Sequence, residues 1–267
     1  MHPIINIASR AARRAGRLIV RAMDRVATLK VEEKAKNDFV SEIDRAAEDT
    51  IIDTILRAYP DHGIVGEERG EANPDAEFVW IIDPLDGTSN FLAGIPHFCV
   101  SIGVRRGNVL EHGLILDPVR NEEFSATRGA GARLNGMRLR VSERPRLENA
   151  IVATGIPHRM VASHLDRYTD MHRVLQGSCR SLRRMGSAAL DLAYVGAGRT
   201  DAFIQVGLQP WDMAAGTVIV REAGGFVSDA DGGEKFMENG RLVAANPRIF
   251  KDLLRLIRDF AGTGPGA

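Results

Sequence analysis

Asp83 and Asp86 stand three residues apart where an apolar run ends, in Trp80-Ile81-Ile82-Asp83-Pro84-Leu85-Asp86-Gly87-Thr88-Ser89-Asn90. The run suits a buried strand. Pro84 bars further strand pairing, and Gly87-Thr88-Ser89-Asn90 can expose backbone N–H groups and open a helix. Fixed carboxylates beside free amide donors suit hard divalent cations facing a phosphate group. Taken alone the pair is also ordinary turn chemistry, because Asp and Gly favour turns. A second strand ending in acids, Ile64-Val65-Gly66-Glu67-Glu68, weighs against that reading. Two adjacent strand ends carrying carboxylates repel each other unless cations neutralise them. Asp212, in Gln209-Pro210-Trp211-Asp212-Met213-Ala214-Ala215-Gly216, falls in the first turn of an expected helix. It would complement the helix dipole there in any case, but the small residues after it allow close packing. Asp44 follows Asn37-Asp38-Phe39-Val40-Ser41 near another helix start and carries the same capping alternative.

The elements that must position these acids can be read from periodicity. Ile4, Ile7, Ala8, Ala11, Ala15, Leu18, Ile19, Ala22 and Met23 recur at helical spacing over residues 3–26. Arg10, Arg13, Arg14, Arg17 and Arg21 lie mostly on the other side, as a solvated stripe. The polar, mixed-charge stretch 30–39 predicts a mobile loop, and 41–58 a second helix capped by Ser41. Residues 62–66 read as a short strand, 69–77 as a loop, and 78–82 as the strand that delivers Asp83. Alternating strands follow over 98–105, 109–116, 122–127, 132–134 and 138–141. From about residue 148 strands and helices alternate: strand 150–154, helix 160–176, strand 179–182, helix 187–195, strand 201–206, helix 212–223, strands 226–228 and 242–245. Pro247 should open a last helix to about Phe260, with 262–267 a loose tail. The expected division is an N-terminal half, 1–147, and a C-terminal half, 148–267. Two sheets with helices between them favour layered α+β over one doubly wound sheet.

Composition narrows the function. A length of 267 residues provides a sizeable core, and 44% hydrophobic with 26% charged residues fits an ordinary globular chain. Formal net charge of +0 gives no global pull toward nucleic acid or anionic membrane. Cys99 and Cys179, both in apolar sequence surroundings, cannot form a disulfide framework, so a reduced, cytoplasmic setting is expected. The Arg-interrupted start has no secretory pattern, and no run is long enough to cross a membrane. His158, His164 and His172 match no zinc spacing, and there is no nucleophile elbow, Walker loop or dinucleotide fingerprint.

Together, Gly66-Glu67-Glu68, Asp83-Pro84-Leu85-Asp86-Gly87-Thr88 and Trp211-Asp212-Met213-Ala214-Ala215-Gly216 resemble the three motifs of the inositol monophosphatase family. The resemblance covers nearly the whole chain. Met1-His2-Pro3, Arg10-Ala11-Ala12-Arg13 and Gly186-Ser187-Ala188-Ala189-Leu190-Asp191-Leu192-Ala193-Tyr194 are similar to its bacterial SuhB-type branch. This resemblance implies an α+β, five-layer αβαβα sandwich, a homodimer, and Mg²⁺-dependent hydrolysis of a phosphomonoester. It implies Glu67, Asp83, the carbonyl of Leu85, Asp86 and Asp212 as metal ligands. Thr88, supported by Asp44, would hold and help activate the attacking water, with Glu67 the third catalytic candidate. Gly87, Thr88 and Ser89 would face the phosphate. Substrate hydroxyls would meet Asp86, Asp212, the segment Gly186-Ser187-Ala188 and Gln205, with Arg183 nearby.

Gln205 departs from the family pattern, which commonly has a glutamate there; the amide still accepts a hydrogen bond, without charge. Ser89 stands where a second threonine is usual. The substrate class implied is myo-inositol 1-phosphate with related polyol or sugar phosphates. Fructose bisphosphate, a nucleotide and histidinol phosphate remain alternatives. The branch resemblance also implies association with a transcription antitermination (Nus) complex, for which Arg180, Arg183 and Arg184 or the first helix could supply a patch.

Overall fold

The computed structural model describes residues 2–26, 29–35, 38–155 and 161–261. Helix α1 (Pro3–Met23) begins with proline in its first turn, where no N–H is needed, and His2 Nδ1 accepts the Ile4 N–H at 3.3 Å. Its buried face, Ile4, Ile5, Ala8, Ala11, Ala12, Ala15, Gly16, Ile19 and Ala22, is mostly small, so the helix lies close to its neighbours. The arginines are more than a solvated stripe. Arg13 pairs with Glu123 at 2.9 Å, and Arg14 donates to Thr54 at 2.8 Å on helix α2 (Glu42–Leu56).

Between these helices the expected loop is instead a hairpin, β1 (Val31–Ala35) with β2 (Asp38–Ser41). Its antiparallel pairing runs from Val31↔Ser41 to Ala35↔Asp38. Polar composition did not prevent pairing, because a two-stranded ribbon satisfies its backbone locally without burying a face.

The larger sheet contains β3 (Gly63–Gly66), β4 (Gly70–Ala72), β5 (Phe78–Asp86), β6 (Cys99–Arg106), β7 (Val109–Asp117), β8 (Glu122–Thr127), β9 (Gly131–Leu134) and β10 (Met137–Arg138). Strand order is β10-β9-β8-β7-β6-β5-β3-β4. Strand β4, within the expected 69–77 loop, forms the edge. Strands β3 and β5 are parallel, with Gly66 beside Ile82, so both acidic motifs emerge at the same end of the sheet. Pro84 does not stop β5. Asp83 pairs with Ser101 and Asp86 with Cys99, and the irregularity between them takes up Pro84 and Leu85. Proline is tolerated at a bulge because no ladder N–H is required there.

The second sheet, ordered β12-β11-β13-β15-β14, comprises β11 (Ile151–Thr154), β12 (Ser181–Arg183), β13 (Ala202–Gln205), β14 (Phe226–Ser228) and β15 (Leu242–Ala245). Helices α5 (Ala188–Gly196) and α6 (Pro210–Glu222) lie between the sheets, and α4 (Val161–Ser178) and α8 (Phe250–Ala261) cover the far face. Short helices α3 (Thr88–Leu92) and α7 (Phe236–Asn239) complete the set. With α1 and α2 outside the first sheet, this is the expected five-layer αβαβα sandwich. Helix α8 starts later than Pro247, because Asn246 Oδ1 accepts the N–H groups of Arg248 (2.9 Å) and Ile249 (3.3 Å) and holds the chain in a turn. The tail expected over 262–267 lies outside the described residues, as does His158.

Helix α6 is seated by glycine. Gly103 and Gly113 are cross-strand partners on β6 and β7, forming a trough beneath Ala214 and Ala215. A Cβ on Gly103 would lie 2.6 Å from Ala214 Cβ, and one on Gly113 would strike the Ala215 carbonyl. On the opposite face a Cβ on Gly216 would lie 2.5 Å from Leu192 Cβ of α5. The small residues after Asp212 thus pack closely on both sides. Gly113→Ala is expected to cost about 1–3 kcal/mol in denaturant unfolding through overpacking. Gly177→Ala, in α4 with nothing within 4 Å of the added carbon, should instead stabilise by about 0.5–1 kcal/mol.

Candidate active site

The parallel β3–β5 pair continues one residue beyond the strand, where the Glu67 N–H donates to the Ile82 carbonyl at 3.2 Å. This sets Glu67 beside Asp83. The Asp83 carboxylate is buried (2% exposed), and its Oδ1 accepts the Leu85 N–H at 3.0 Å across the bulge. Beyond the bulge, Asp86 Oδ2 accepts from the Ser187 hydroxyl (2.6 Å) and the Ala189 N–H (2.8 Å) at the start of α5. Asp212, in the first turn of α6, accepts the Gln209 N–H at 2.7 Å. Asp83, Asp86 and Asp212 thereby each offer a carboxylate oxygen within 4.8 Å of the others.

Leu85 turns its side chain into the core and its carbonyl toward Thr88, whose hydroxyl lies 3.0 Å from it. The same hydroxyl donates to Asp44 Oδ1 at 2.8 Å. Asp44 Oδ2 accepts from the N–H (2.9 Å) and the hydroxyl (2.5 Å) of Ser41, forming a capping box on α2. The capping role and the contact with Thr88 therefore coexist, one on each oxygen.

Gly87 has φ +96°, and a Cβ there would crowd the carbonyls of His97 (3.1 Å) and Gly186 (3.3 Å). Glycine is required twice over, for backbone conformation and for close approach. Asn90 ties the two segments together: its Nδ2 donates to the carbonyls of His97 (2.8 Å) and Met185 (2.9 Å). Ser89 is exposed.

Of the residues expected to meet substrate, Ser187 and the backbone of Ala188 and Ala189 engage Asp86 directly. Gly186 is exposed beside them. Gln205 lies over Gly155, where a Cβ would strike its amide oxygen. Arg183 is exposed and folds along its own strand, donating to Ser181 Oγ and, at 3.1 Å, to the Leu182 carbonyl. Neither Gln205 nor Arg183 hydrogen-bonds to the acids among the described residues. Two buried neighbours of the site, Cys99 and Glu48, carry no sequence signal for that place. Cys99 lies in the apolar setting its sequence suggests, packed with Ile115, Phe124 and Leu190, yet its Sγ is also 3.8 Å from Asp86 Oδ2 and 3.7 Å from Ser187 Oγ. Glu48, fully buried one turn along α2 from Asp44, shows only as an acid at i+4 spacing.

The electrostatics are those of crowded acids. Burial, then the charges of Glu67, Asp86 and Asp212, push the Asp83 carboxyl well above the usual carboxylate range. Burial raises Asp86 despite its hydrogen bonds, and raises Asp44 likewise. Burial lifts Glu48 to about 7. An all-oxygen donor set that resists ionisation until a positive charge arrives fits a hard divalent cation.

The fold and this group of acids define a phosphatase of the layered αβαβα class. A family model, Inositol monophosphatase family, matches residues 1–261. The Nus factor SuhB of Pseudomonas aeruginosa is 53% identical over 262 residues, covering 97% of each chain. The structure of extragenic suppressor protein suhB from Bartonella henselae superposes with a TM-score of 0.93 at 43% identity, covering 96% of this chain and 99% of that one. Inositol monophosphatase from Anabaena superposes at 0.86 with 34% identity, covering 96% of each. The chain belongs to the inositol monophosphatase family, in its bacterial SuhB branch.

Crowding has a pH signature. Asp83 has a folded pKa above its unfolded value, so the folded state holds its proton longer, and stability is lost as pH rises through that interval. Half-buried His62 and buried His97 and His112, the last lowered to about 4, act in the opposite sense. A comparison with Asp83→Asn cancels the histidines. In chelator, the variant should melt above wild type at about pH 8, with the gap closing toward about pH 4. A gap independent of pH would contradict the crowding.

Proposed function

We propose that the protein is a Mg²⁺-dependent phosphomonoesterase acting on myo-inositol 1-phosphate and related polyol or sugar phosphates. The observation that carries this reading is the convergence of Asp83, Asp86 and Asp212 within 4.8 Å, beside the Thr88–Asp44 couple. Glu67, Asp83, the Leu85 carbonyl, Asp86 and Asp212 would hold the cations. Bound there, Mg²⁺ supplies the charge that lets a phosphate dianion approach and makes water acidic enough to attack.

The chain's own groups do the rest. The Thr88 hydroxyl donates to Asp44 and so presents a lone pair to an incoming water, orienting it toward phosphorus. Asp44, with its raised pKa, is suited to receive a proton relayed through that hydroxyl. The N–H groups of Gly87 and Thr88, where the chain turns into α3, face equatorial phosphate oxygens. Asp86, Ser187 and Gln205 select among substrate hydroxyls, residues 1–147 supplying most of the acids and 148–267 completing the site. Neutral Gln205 should relax the preference for inositol. Supporting the substrate class is the Anabaena relative, named an inositol monophosphatase.

A second reading concerns partners. The relatives named Nus factor SuhB favour association with a transcription antitermination complex, and we place the protein, as a homodimer, in the cytoplasm. Arg180, Arg183 and Arg184 are exposed in and beside edge strand β12, as such a contact would need. No helix among the described residues is long and apolar enough to cross a membrane.

A panel of phosphomonoesters with Mg²⁺ separates inositol phosphate from fructose bisphosphate, nucleotide and histidinol phosphate. Gln205→Glu should raise the inositol phosphate ratio within that panel, and unchanged ratios would remove position 205 from the specificity site. Asp83→Asn should lower turnover at least about a thousandfold in a folded protein. Near-normal turnover would end the metal-site reading. If that folded, inactive variant still supports antitermination in cells, the partner role is separate from catalysis.

A further inference from the structure

Glu48 is a buried acid that the proposed reaction leaves unused. It has 0% exposure, and its Oε2 has no hydrogen-bond partner among the described residues. Among the described residues no salt bridge to it is formed, although the charge of Arg69 reaches it. Arg69, the nearest candidate, is held outside by neighbouring Asp49 through two hydrogen bonds of 2.8 and 2.6 Å. A buried carboxylate left in this condition costs more than a leucine of similar size would. Such a cost points to a positional requirement.

The contacts show which position. Glu48 Oε1 accepts the Glu68 N–H at 3.3 Å, and the Arg69 N–H also faces the carboxylate. These are N–H groups of the tight connection from β3 to β4, closed by the Gly66↔Gly70 pair, with Glu67 at its start. The carboxylate reaches them by lying against the Cα of Gly66, where a Cβ would strike Oε1 and come within 2.9 Å of Cδ. Gly66 does not have the positive φ that forces glycine elsewhere in the chain. Its small size serves the passage of Glu48. One turn earlier on the same helix, about 6 Å along the axis, Asp44 holds Thr88. Helix α2 therefore grips both acidic motifs from one face, Thr88 through Asp44 and the Glu67 turn through Glu48.

We infer that Glu48 is a positioning residue that clamps the Gly66-Glu67-Glu68 turn and so sets the affinity of the acid cluster for a divalent cation. The inference rests on the cation-site reading given above. Partners that orient a ligand from behind typically change metal affinity 10- to 100-fold when removed.

The test is direct Mn²⁺ binding to chelator-stripped, full-length protein, read from the free-ion paramagnetic resonance signal, with melting curves in parallel. Glu48→Leu should weaken Mn²⁺ binding at least about tenfold while leaving the metal-free melting temperature at or above that of wild type. Glu48→Gln keeps an acceptor for the turn and should restore affinity to within about threefold. If the leucine variant fails to fold, Gly66→Ala, which displaces the carboxylate by contact, should show the same weakening. Wild-type affinity in the leucine or alanine variant would overturn the inference while leaving the cation site intact. A glutamine variant as weak as leucine would also overturn it, because charge and not positioning would then be at work. If wild type itself bound no Mn²⁺, the cation-site reading would fail first, and the inference with it.

Discussion

Repulsion among Glu67, Asp83, Asp86 and Asp212 is the constraint on which the structure around the site depends. Carboxylates brought this close spread apart or stay protonated unless something holds them. Here the three aspartates are each held by a different rigid device. Asp83 is fixed by the bulge N–H of Leu85, Asp86 by the start of α5, and Asp212 by its own capping contact on α6. Burial raises the cost further, since the Asp83 carboxyl is driven well above its ordinary range. The folded chain thus stores an unfavourable electrostatic arrangement that a divalent cation would relieve, and the packing free energy of the sandwich sustains it.

That packing is tightest where the site needs it. Helix α6 carries Asp212 and runs between the sheets in a trough made by the Gly103–Gly113 pair, with Gly216 against α5 on its other side. Close backbone contacts on both faces leave the helix little freedom to slide, so its first turn meets Asp83 and Asp86 at a fixed distance. Helix α5 is tied to the same place through Ser187 and Ala189, and Asn90 bridges to Met185. The site is a junction between halves of the chain, and its geometry depends on the middle layer as much as on the acidic motifs.

Much of this was legible in order and spacing. The acids at 67, 83, 86 and 212 could be singled out, the role of Thr88 with the supporting Asp44 was implied only by the family resemblance, and the long helices and the two sheets fell near their expected places. The misreadings share a cause, which is inference from local composition about something decided by neighbours. Residues 31–35 and 38–41 pair with each other despite their charge. Pro84 sits in a strand because a bulge opposite Ser101 and Cys99 absorbs it.

By itself the sequence determined the chemical inventory: the residue types, the acidic turns, the Gly87-Thr88-Ser89-Asn90 segment able to expose N–H groups, and the small residues that follow Asp212. These are properties of single residues and short spacings, so they survive without coordinates. Only the tertiary structure decided which groups face one another. The parallel register of β3 and β5 joins Glu67 to Asp83, α5 commits Ser187 to Asp86, and α2 aligns Asp44 with Glu48 behind the two motifs. The reason is physical. The cost of a buried charge, and the worth of the group that orients it, are set by distances across the core that no local pattern encodes.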